Sequence, residues 1–438
     1  MLAPIIDTFV SLASPRLLSR AARVIPPSFL SAKNEESFRR VVRYVYKHSK
    51  FYRRKFDELG IDPRRIRGPK DLGDFYTLPE DIVNHAEEFL CKTPQIVFES
   101  SGTTGRNKRV YFTQCELDDI GKINAMGFFL WGLKSTDRIV NAFDFCIWIP
   151  GIVTQKGIEK SGIFSMAAGK VDPVEVYKRI PVHNFNVVIG EPTWLIKLTE
   201  IAEKNGAYPL KFLIGAAETM PAAARPWMEK VWPGVQIRMI YASVESGGVI
   251  GSELSSVCGG YHIDENDFLV EIADPDHEGY GEVTFTTLTR TAMPLVRYRN
   301  RDISRIIEEK CPCGVKFRRL APTRGRADEM VIAAAGNLYP LMFQEILKDV
   351  KGLATDWQVI FRLHGLKETM EFNLELADES ISKDAIKEKV LSNIHLLYPD
   401  IWKNLSIGIF YIDFVYHKPG TLRVNRKLIR LLDKRYVP

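Results

Sequence analysis

The sequence of 438 residues lacks the patterns of membrane-spanning, secreted and nucleic-acid-binding chains. It has no run of roughly 18 apolar residues, which excludes a membrane-spanning helix. Its N-terminal segment has neither the basic start nor the unbroken apolar core of a signal peptide. Six cysteines are too few for a disulfide framework in so long a chain, and a net charge of +6 is spread without any block of like charge. These absences predict a cytoplasmic protein with no membrane or nucleic-acid partner.

Two common catalytic signatures are also missing. No G-x-S-x-G sequence occurs, so a serine hydrolase of the nucleophile-elbow type is excluded. No G-x-G-x-x-G follows an apolar strand, so dinucleotide binding is excluded as well. There is no internal repeat and no low-complexity segment. With 45% apolar and 26% charged residues, the chain is an ordinary globular sequence long enough for two or three domains.

The segment 35–56 is basic with interleaved aromatic residues, a composition that also occurs in RNA-binding proteins. However, Phe38, Val41, Val42 and Val45 recur at the spacing of one helix face. An amphipathic helix with a solvated basic back is therefore favoured over an RNA-binding surface.

A short polar segment between two apolar runs is the strongest local candidate for a binding site. The runs are Ile96–Phe98 and Val110–Phe112, and between them lie Ser100, Ser101, Gly102, Thr103, Thr104, Gly105, Arg106, Asn107 and Lys108. Glycines let the backbone turn its N–H groups toward an anion, while hydroxyl and cationic side chains add donors. The segment predicts a polyphosphate-binding loop; a polar hairpin that merely turns the chain is the alternative.

Strand-like and helix-like segments alternate through the middle of the chain. The predicted strands are Arg138–Ile149, Pro181–Gly190, Leu210–Gly215 and Gln236–Tyr241, and the predicted helices are Glu116–Leu133, Thr193–Asn205 and Ala222–Val231. This alternation predicts an α/β fold: a large multi-layer N-terminal domain with mostly parallel sheets.

The pattern changes near Gly325. The segments Met330–Ala334, Leu341–Val350, Trp357–Leu363, Met370–Leu376, Lys383–Leu397 and Ser406–Tyr416 follow in the order βαββαβ. That order predicts a small C-terminal α+β domain of the ferredoxin-like type. The predicted domains are residues 1–325 and 326–438.

A glutamate closes the last of the central strands. Glu245 lies in YASVESGG, directly after the strand that ends at Tyr241. Ligands of open α/β sheets bind beyond the carboxyl ends of the strands, and a carboxylate beside a triphosphate suits Mg²⁺. Glu245 is therefore a candidate magnesium ligand, with an ordinary surface acid as the alternative.

Four potential zinc ligands form two short clusters. Cys258 and His262 are close in sequence, as are Cys311 and Cys313. Three thiols and one imidazole make up a structural zinc set, whereas buried inert thiols and a polar strand histidine are the alternative. The remaining cysteines, Cys91, Cys115 and Cys146, are ungrouped and are predicted to be core residues.

Several of these segments resemble one known family. SSGTTGRNK is similar to the phosphate loop of the adenylate-forming enzymes, although Asn107 replaces their usual proline. SKFYRRKFDELGIDP and GEVTFTTLTRTAMPLVRYRNRDISRI are similar to the phenylacetate-CoA ligases within that superfamily. The resemblance extends over nearly the whole chain, from about Phe38 to Arg435.

The resemblance implies a role for each matching residue. Residues at the nucleotide would be Ser100, Ser101, Gly102, Thr103, Thr104, Gly105, Ala217, Glu218, Tyr241, Ser243, Asp302 and Arg326. Tyr241 would flank the adenine, Asp302 would accept hydrogen bonds from the ribose hydroxyls, and Arg326 would contact the phosphate or ribose. The catalytic set would be Lys108, Glu245 as the Mg²⁺ ligand, and Lys427. Asp328 would be the hinge of a mobile C-terminal lid.

The implied reaction is the ATP-dependent activation of a carboxylic acid, of aryl or aryl-acetic type, to an acyl-adenylate. Transfer to coenzyme A would follow, so the expected cofactors are ATP, Mg²⁺, coenzyme A and structural Zn²⁺. Three departures from the family's pattern leave alternatives open. Residues Phe145–Pro150 are bulky where the relatives are glycine-rich, and Ala333–Asn337 lacks the arginine usual in that strand. Arg426 stands where the family has a glycine before the lysine that matches Lys427. An amine, a carrier-protein thiol or a cofactor hydroxyl could replace coenzyme A as the acceptor. Lys427 could belong to a solvated basic tail instead of the active site. The non-enzymatic alternative is a nucleotide-binding pseudoenzyme. A homodimer is compatible with the sequence, which does not specify the oligomeric state.

Overall fold

The computed structural model describes residues 2–100, 107–218, 220, 224–327, 331–333, 336–364, 367–378, 381–406, 408, 410–423 and 428–435. The chain divides into two compact units. The larger comprises residues 1–300 and 304–322, and the smaller comprises residues 301–303 and 323–438. Within the described ranges, no helix combines the length and the apolar character that crossing a bilayer requires.

The larger unit begins with helices whose starts are set by proline and serine. These helices are α1 (Leu2–Leu12), α2 (Pro15–Val24), α3 (Pro27–His48), α4 (Lys50–Glu58) and α5 (Pro79–His85). Pro15 and Pro27 occupy first helical positions, where the missing N–H would have had no intrahelical partner. Ser49 separates α3 from α4, because its side chain accepts a hydrogen bond from the N–H of Tyr52.

The apolar face predicted for the basic segment is confirmed. Phe38, Val41, Val42 and Val45 of α3 are all buried in the main core of the larger unit. Burying this face, rather than intrinsic helix propensity, accounts for most of the stability of such a helix.

A hairpin and a capped helix follow. The hairpin consists of β1 (Ile96–Glu99) and β2 (Arg109–Phe112), which pair in antiparallel register, and it leads into α6 (Gln114–Leu130). Thr113 and Glu116 form a capping box that fixes the start of α6. The two predicted apolar runs are therefore strands, and the predicted phosphate loop connects them.

The central sheet is built from strands that alternate with helices. In chain order the elements are β3 (Arg138–Asn141), α7 (Pro150–Ser161), β4 (Phe164–Ala167), α8 (Pro173–His183), β5 (Val187–Gly190), α9 (Pro192–Asn205), β6 (Phe212–Gly215), α10 (Ala224–Val231) and β7 (Gln236–Ala242). The strands are parallel in the spatial order β4-β3-β5-β6-β7. Their carboxyl ends therefore meet at one edge, and the strand order reverses at β3, where ligand crevices of such sheets form.

Antiparallel strands complete the larger unit. They are β8 (Val249–Ser252), β9 (Tyr261–Ile263), β10 (Phe268–Ala273), β11 (Gly281–Thr287), β12 (Tyr298–Ser304), β13 (Ile306–Ile307) and β14 (Arg319–Leu320). Strands β8, β9, β14 and β13 extend the central sheet beyond β7, whereas β10, β11 and β12 belong to a separate sheet. Residues 301–303 of β12 belong to the smaller unit. The predicted α/β class is confirmed, but the large sheet is mixed rather than mostly parallel: β4, β3, β5, β6 and β7 pair in parallel, and β8, β9, β14 and β13 add antiparallel pairings.

Two strand predictions in the larger unit were wrong in extent. The segment from Pro181 begins as the end of α8, and the strand starts only at Val187. Ile180 of α8 is buried in the core beside the sheet, and Asn184 ends the helix in the left-handed conformation with φ 53°. Likewise β3 stops at Asn141, so the rest of the predicted strand forms the connection from β3 to α7.

The smaller unit has its own sheet and core. Its elements are β15 (Gly325–Arg326), β16 (Val331–Ala333), β17 (Gly336–Leu338), α11 (Pro340–Leu347), β18 (Leu353–His364), β19 (Lys367–Leu376), α12 (Lys383–Leu397), α13 (Pro399–Ser406), β20 (Phe410–His417) and β21 (Leu431–Asp433). The sheet has the order β20-β19-β18-β21, and β16 pairs with β17 in a hairpin outside it. The predicted α+β class is confirmed. The last predicted strand starts at Phe410 rather than at Ser406, which is the last residue of α13.

Candidate active site

The β1–β2 hairpin holds both ends of the predicted phosphate loop. The N–H of Ser100 donates to the carbonyl oxygen of Lys108 at 3.0 Å, which closes the loop at its base. The predicted residues 101–105 lie outside the described residues. The Oγ atom of Ser100 is buried and has no hydrogen-bond partner within the described part of the chain. A buried hydroxyl of this kind is costly unless a ligand or water binds it, which fits an anion-binding loop.

The cations flanking this loop have different surroundings. Arg109 binds Glu87, with Nη2 3.3 Å from Oε2, so its charge is directed to a surface acid. Lys108 instead reaches the carboxylate of Glu245, which follows β7. The structure therefore brings together two of the three predicted catalytic residues, Lys108 and Glu245. The third, Lys427, lies outside the described residues.

The carboxylate of Glu245 is buried and ionised. Its Oε1 contacts the ammonium of Lys108 and accepts a hydrogen bond from the hydroxyl of Tyr298 at 3.1 Å. Burial alone would raise the pKa of Glu245, but the charge of Lys108 and the hydrogen bonds outweigh it and hold that pKa below its ordinary value. An ionised carboxylate with little solvent access is what binding of a hard cation such as Mg²⁺ requires.

A tight turn fixes the direction of Glu245. The N–H of Ser243 donates to Oγ of Ser246 at 3.1 Å, and the N–H of Ser246 donates back to Oγ of Ser243 at 3.1 Å. Gly247 follows with φ +73°, and a Cβ there would lie 2.4 Å from the ring of Phe112 in β2. Ser243, which was predicted to bind the nucleotide, thus stabilises the backbone of this turn in the structure.

The predicted adenine residues lie at the same sheet edge. Tyr241 is at the carboxyl end of β7, where its hydroxyl accepts a hydrogen bond from Asn300 at 2.7 Å and its ring lies 5.8 Å from that of Tyr261. Ala217 and Glu218 follow β6 and are exposed. Ala217 has φ 73°, a strained conformation for a residue with a Cβ and one that is concentrated at ligand-binding loops.

The bulky segment Phe145–Pro150, which stands where the relatives have a glycine-rich segment, connects β3 to α7. Cys146 and Ile147 are exposed there, whereas Ile149 is buried. The carbonyl oxygen of Ile147 accepts a hydrogen bond from the N–H of Glu99 at 3.0 Å. This bond ties the segment to β1, the strand that enters the phosphate loop.

In the smaller unit, the predicted ribose acceptor meets the predicted arginine. Asp302 and Arg326 are opposite each other on β12 and β15, and Oδ1 of Asp302 lies 3.3 Å from Nη1 of Arg326. The side chains are 17% and 34% exposed, so both remain accessible to a ligand. The predicted hinge residue Asp328 lies outside the described residues.

The four predicted zinc ligands converge. The ligand atoms of Cys258, His262, Cys311 and Cys313 all lie within 4.8 Å of one another. Antiparallel pairing of β9 with β14 brings the two sequence clusters together. Nδ1 of His262 lies 3.2 Å from the carbonyl oxygen of Phe317, which fixes the ring and leaves Nε2 directed at the cluster.

The pKa values in this cluster favour a thiolate at Cys258. Burial would raise the pKa of Cys258, but hydrogen bonds from His262 and Ser255 dominate and lower it to about 6. Thiolates are the form that binds zinc. The other cysteines differ from the prediction: Cys115 and Cys146 are exposed, not core residues, and Cys91 is half-buried. Cys115 lies in the first turn of α6 and Cys146 follows β3, positions on the surface of their elements.

Two residues at the centre of the site were not predicted. The hydroxyl of Tyr298 is a direct partner of Glu245, and the guanidinium of Arg290 donates to its carbonyl oxygen at 2.9 Å. Both lie in the long motif that also contains Asp302. Their part in the site depends on contacts across the sheets, which the linear pattern does not encode.

Comparisons with known proteins agree with this geometry. No family model matches the chain. The sequence is 29% identical to a phenylacetate-coenzyme A ligase of Thermus thermophilus in an alignment 398 residues long that covers 85% of this chain and 88% of the relative. It is 26% identical to a phenylacetate-coenzyme A ligase of Escherichia coli in an alignment 373 residues long that covers 81% of this chain and 84% of the relative.

Solved structures show the same fold at lower identity. A 2-hydroxyisobutyryl-CoA ligase in the postadenylation state, in complex with R3-HIB-AMP, aligns with a TM-score of 0.78 at 17% identity, covering 95% of this chain and 92% of its own. The O-succinylbenzoate coenzyme A synthetase of Bacillus subtilis, in complex with AMP, aligns with a TM-score of 0.55 at 15% identity, covering 77% and 68%. The resemblance identified in the sequence is confirmed, and the fold is that of adenylate-forming CoA ligases.

Proposed function

We propose that this chain, a relative of the phenylacetate-CoA ligases, is an AMP-forming acid–thiol ligase. A carboxylate oxygen attacks the α-phosphorus of ATP, giving an acyl-adenylate and releasing pyrophosphate. The sulfur of coenzyme A then attacks the acyl carbonyl, the thiol proton is lost, and AMP leaves. The observation that carries the proposal is the contact of Lys108 and Tyr298 with the buried carboxylate of Glu245, which joins the β1–β2 hairpin to the carboxyl end of the central sheet.

The nucleotide is proposed to bind along the sheet edge. Its phosphates would lie between the 100–108 loop and Glu245, where the unpartnered hydroxyl of Ser100 offers a donor. The adenine would lie between Tyr241 and the 217–218 turn. The contribution of these residues would be positioning and charge complementarity, the main sources of catalysis in phosphoryl chemistry.

Magnesium fits the residues present. Glu245 offers an ionised, buried carboxylate, and one or two such ligands together with phosphate oxygens satisfy Mg²⁺. When bound, the ion would neutralise charge on the triphosphate. Lys108, directly before β2, would contact the same phosphate region.

Residues 326–438 are proposed to act as a mobile lid, with Asp328 as its hinge and Lys427 as the residue that it delivers for adenylation. Asp302 and Arg326 would bind the ribose and the adjacent phosphate. The ion pair between them supports this role, because a carboxylate that is already oriented by an arginine presents a fixed acceptor to two hydroxyls.

The cysteine–histidine cluster is proposed to be a structural zinc site. Ligand atoms of a tetrahedral zinc lie about 3.5–3.8 Å apart, as follows from the usual Zn–S and Zn–N distances. The observed convergence within 4.8 Å is therefore close to a ligated arrangement. None of the six cysteines forms a disulfide, which accords with the cytoplasmic location predicted from the sequence. The homodimer stays a prediction.

The acid is proposed to be of aryl or aryl-acetic type, which accords with the names of the relatives. Acid-dependent ATP–pyrophosphate exchange over a panel of aryl, aryl-acetic and short alkyl acids tests this directly. We expect Mg²⁺-dependent exchange with at least one aromatic acid, and thioester formation with coenzyme A. Absence of exchange with every acid would overturn the proposal, whereas exchange without thioester formation would favour an amine, carrier-protein or cofactor-hydroxyl acceptor.

A further inference from the structure

Arg290 is a buried cation that contacts both the backbone of Glu245 and the strand that follows Lys108. It lies between β11 and β12 and is 5% exposed. Its Nη1 donates to the carbonyl oxygen of Glu245 at 2.9 Å, and its Nη2 donates to the carbonyl oxygen of Tyr111 at 2.9 Å. Tyr111 is in β2, the strand that carries the chain away from Lys108. One guanidinium thus bridges the backbones of the two segments that bear the charged groups.

The same guanidinium lies over an aromatic ring of β2. Its central carbon is 4.1 Å from the centroid of Phe112, a distance that allows a cation–π contact. The ring of Phe112 also packs so closely on the turn after Glu245 that a Cβ at Gly247 would lie 2.4 Å from it. The strand, the turn and the guanidinium therefore form one packed unit.

Glu116 anchors the loop that carries Arg290. Its Oε1 accepts hydrogen bonds from the N–H groups of Thr291 at 2.6 Å and Ala292 at 2.9 Å, while its Oε2 accepts from Thr113 at 2.6 Å. Burial lowers the pKa of Arg290 to about 10, and the charge of Glu116 opposes that shift. The charge of Glu116 thus offsets part of the cost of burying this cation, whereas Arg290 contacts the backbone of Glu245 and leaves its carboxylate to Lys108 and Tyr298.

An arginine suits this position in a way that a lysine does not. Its planar guanidinium presents several donors in a rigid fork, so it can bind two carbonyl oxygens and stack on a ring at once. A lysine would supply the charge, but its single ammonium lacks the planar fork of donors that binds both carbonyl oxygens. Replacing arginine by lysine therefore separates the bridging geometry from the charge.

From these contacts we propose that Arg290 is a positioning residue for the magnesium nucleotide. It holds the backbone of Glu245 and the strand after Lys108 at a fixed separation, so that the carboxylate and the ammonium act on the same phosphate region. This inference rests on the proposed function, because it concerns the same nucleotide site. Arg290 itself does not contact the nucleotide.

The test compares Arg290→Lys with a matched control, Arg297→Lys. Arg297 is also a buried arginine that donates to two carbonyl oxygens, those of Gly73 and Phe75, and lies 4.1 Å from the ring of Tyr76. The KM values for Mg·ATP and for the acid, together with the Mg²⁺ dependence, are measured in pyrophosphate exchange. We expect Arg290→Lys to raise the KM for Mg·ATP at least tenfold and to require more Mg²⁺, with less than a threefold change in the acid KM. Arg297→Lys should lower the melting temperature and leave the KM for Mg·ATP within twofold.

A folded Arg290→Lys variant with unchanged nucleotide KM and Mg²⁺ dependence would overturn the inference, as would equal changes in the KM values for nucleotide and acid. If Arg290→Lys does not fold, Glu116→Gln provides the second test, since it removes the compensating charge and should raise the nucleotide KM in the same direction. Failure of both variants to fold would assign Arg290 to folding and overturn the positioning role. Wild-type protein that shows no exchange and no calorimetric binding of Mg·ATP would instead contradict the proposed function itself.

Discussion

The ammonium of Lys108 lies against Oε1 of Glu245, in an ion pair whose side chains are 18% and 4% exposed. The hydroxyl of Tyr298 shares that oxygen at 3.1 Å. A cation from the phosphate-loop hairpin and an anion from the end of the central sheet thus meet at one point. We expect a metal ion that binds this oxygen to compete with these two contacts, so metal binding should depend on the ionisation of Glu245.

Removing the carboxylate is predicted to abolish most nucleotide chemistry. Glu245→Ala should lower acid-dependent pyrophosphate exchange by about 100-fold or more, the range found when one preorganised electrostatic group is deleted. Glu245→Gln, which keeps the shape and the acceptor for Tyr298, should be nearly as defective because it lacks the charge. Circular dichroism checks that both variants are folded. Near-wild-type exchange in either variant would remove Glu245 from the site.

The pH dependence of exchange should report the ion pair. Lys108 lowers the pKa of Glu245, so Lys108→Met should raise it and move the acidic limb of the kcat/KM profile to higher pH. Because the folded pKa is depressed in the wild type, the stability that Glu245 contributes is present above its unfolded pKa and is lost as pH falls through the folded pKa. In Lys108→Met the folded pKa lies closer to the unfolded one, so that loss should be smaller and should be complete at a higher pH. Coincident acidic limbs in the two proteins would show that the pair does not control this ionisation.

The metal prediction concerns the cysteine–histidine cluster. Protein purified without added zinc should contain about one zinc per chain, and Cys313→Ser should lose it and melt about 5 °C or more below the wild type, because structural zinc contributes directly to folding. Cys115→Ser is the control, since that thiol is exposed and outside the cluster. Elemental analysis and thermal denaturation measure both effects. A metal-free protein of full stability would contradict the zinc assignment.

Lys427 should matter for one half-reaction only. If the lid presents this lysine for adenylation, Lys427→Ala should abolish acyl-adenylate formation. The same variant, supplied with synthetic acyl-AMP and coenzyme A, should still form the thioester, because the second step needs a different lid orientation. Loss of both half-reactions to the same degree, in a folded variant, would show that the lysine is not confined to the first step.

Substitution at the proposed hinge should impair the second half-reaction more than the first. Asp328→Pro fixes φ at the proposed pivot and should therefore hinder rotation between the two steps. Adenylation should be spared more than thioester formation, which single-turnover assays of each half-reaction measure. A variant that loses adenylation first would place the pivot elsewhere.

Local patterns in the sequence determined several elements of this protein. Two apolar runs on either side of a Ser/Thr/Gly segment marked two strands with a loop between them, because strands and turns are set by nearby residues. The spacing of Phe38, Val41, Val42 and Val45 specified the buried face of α3. Motifs in sequence order also revealed the resemblance and the four zinc-ligand candidates, since residue types and short spacings are enough for both.

Only the tertiary structure decided which groups meet. The bridge from Arg290 to Glu245 and Tyr111, like the hydroxyl of Tyr298 on Glu245, joins segments from different sheets. Packing also overrode local propensity at two places. Pro181 lies in the last turn of α8, a helix that buries Ile180. Strand β3 ends at Asn141, although the apolar sequence continues. A one-dimensional pattern records the propensity of each segment and its apolar spacing. Which carbonyl faces which guanidinium depends on the register and packing of strands far apart in the chain, and these are fixed only when the whole core forms.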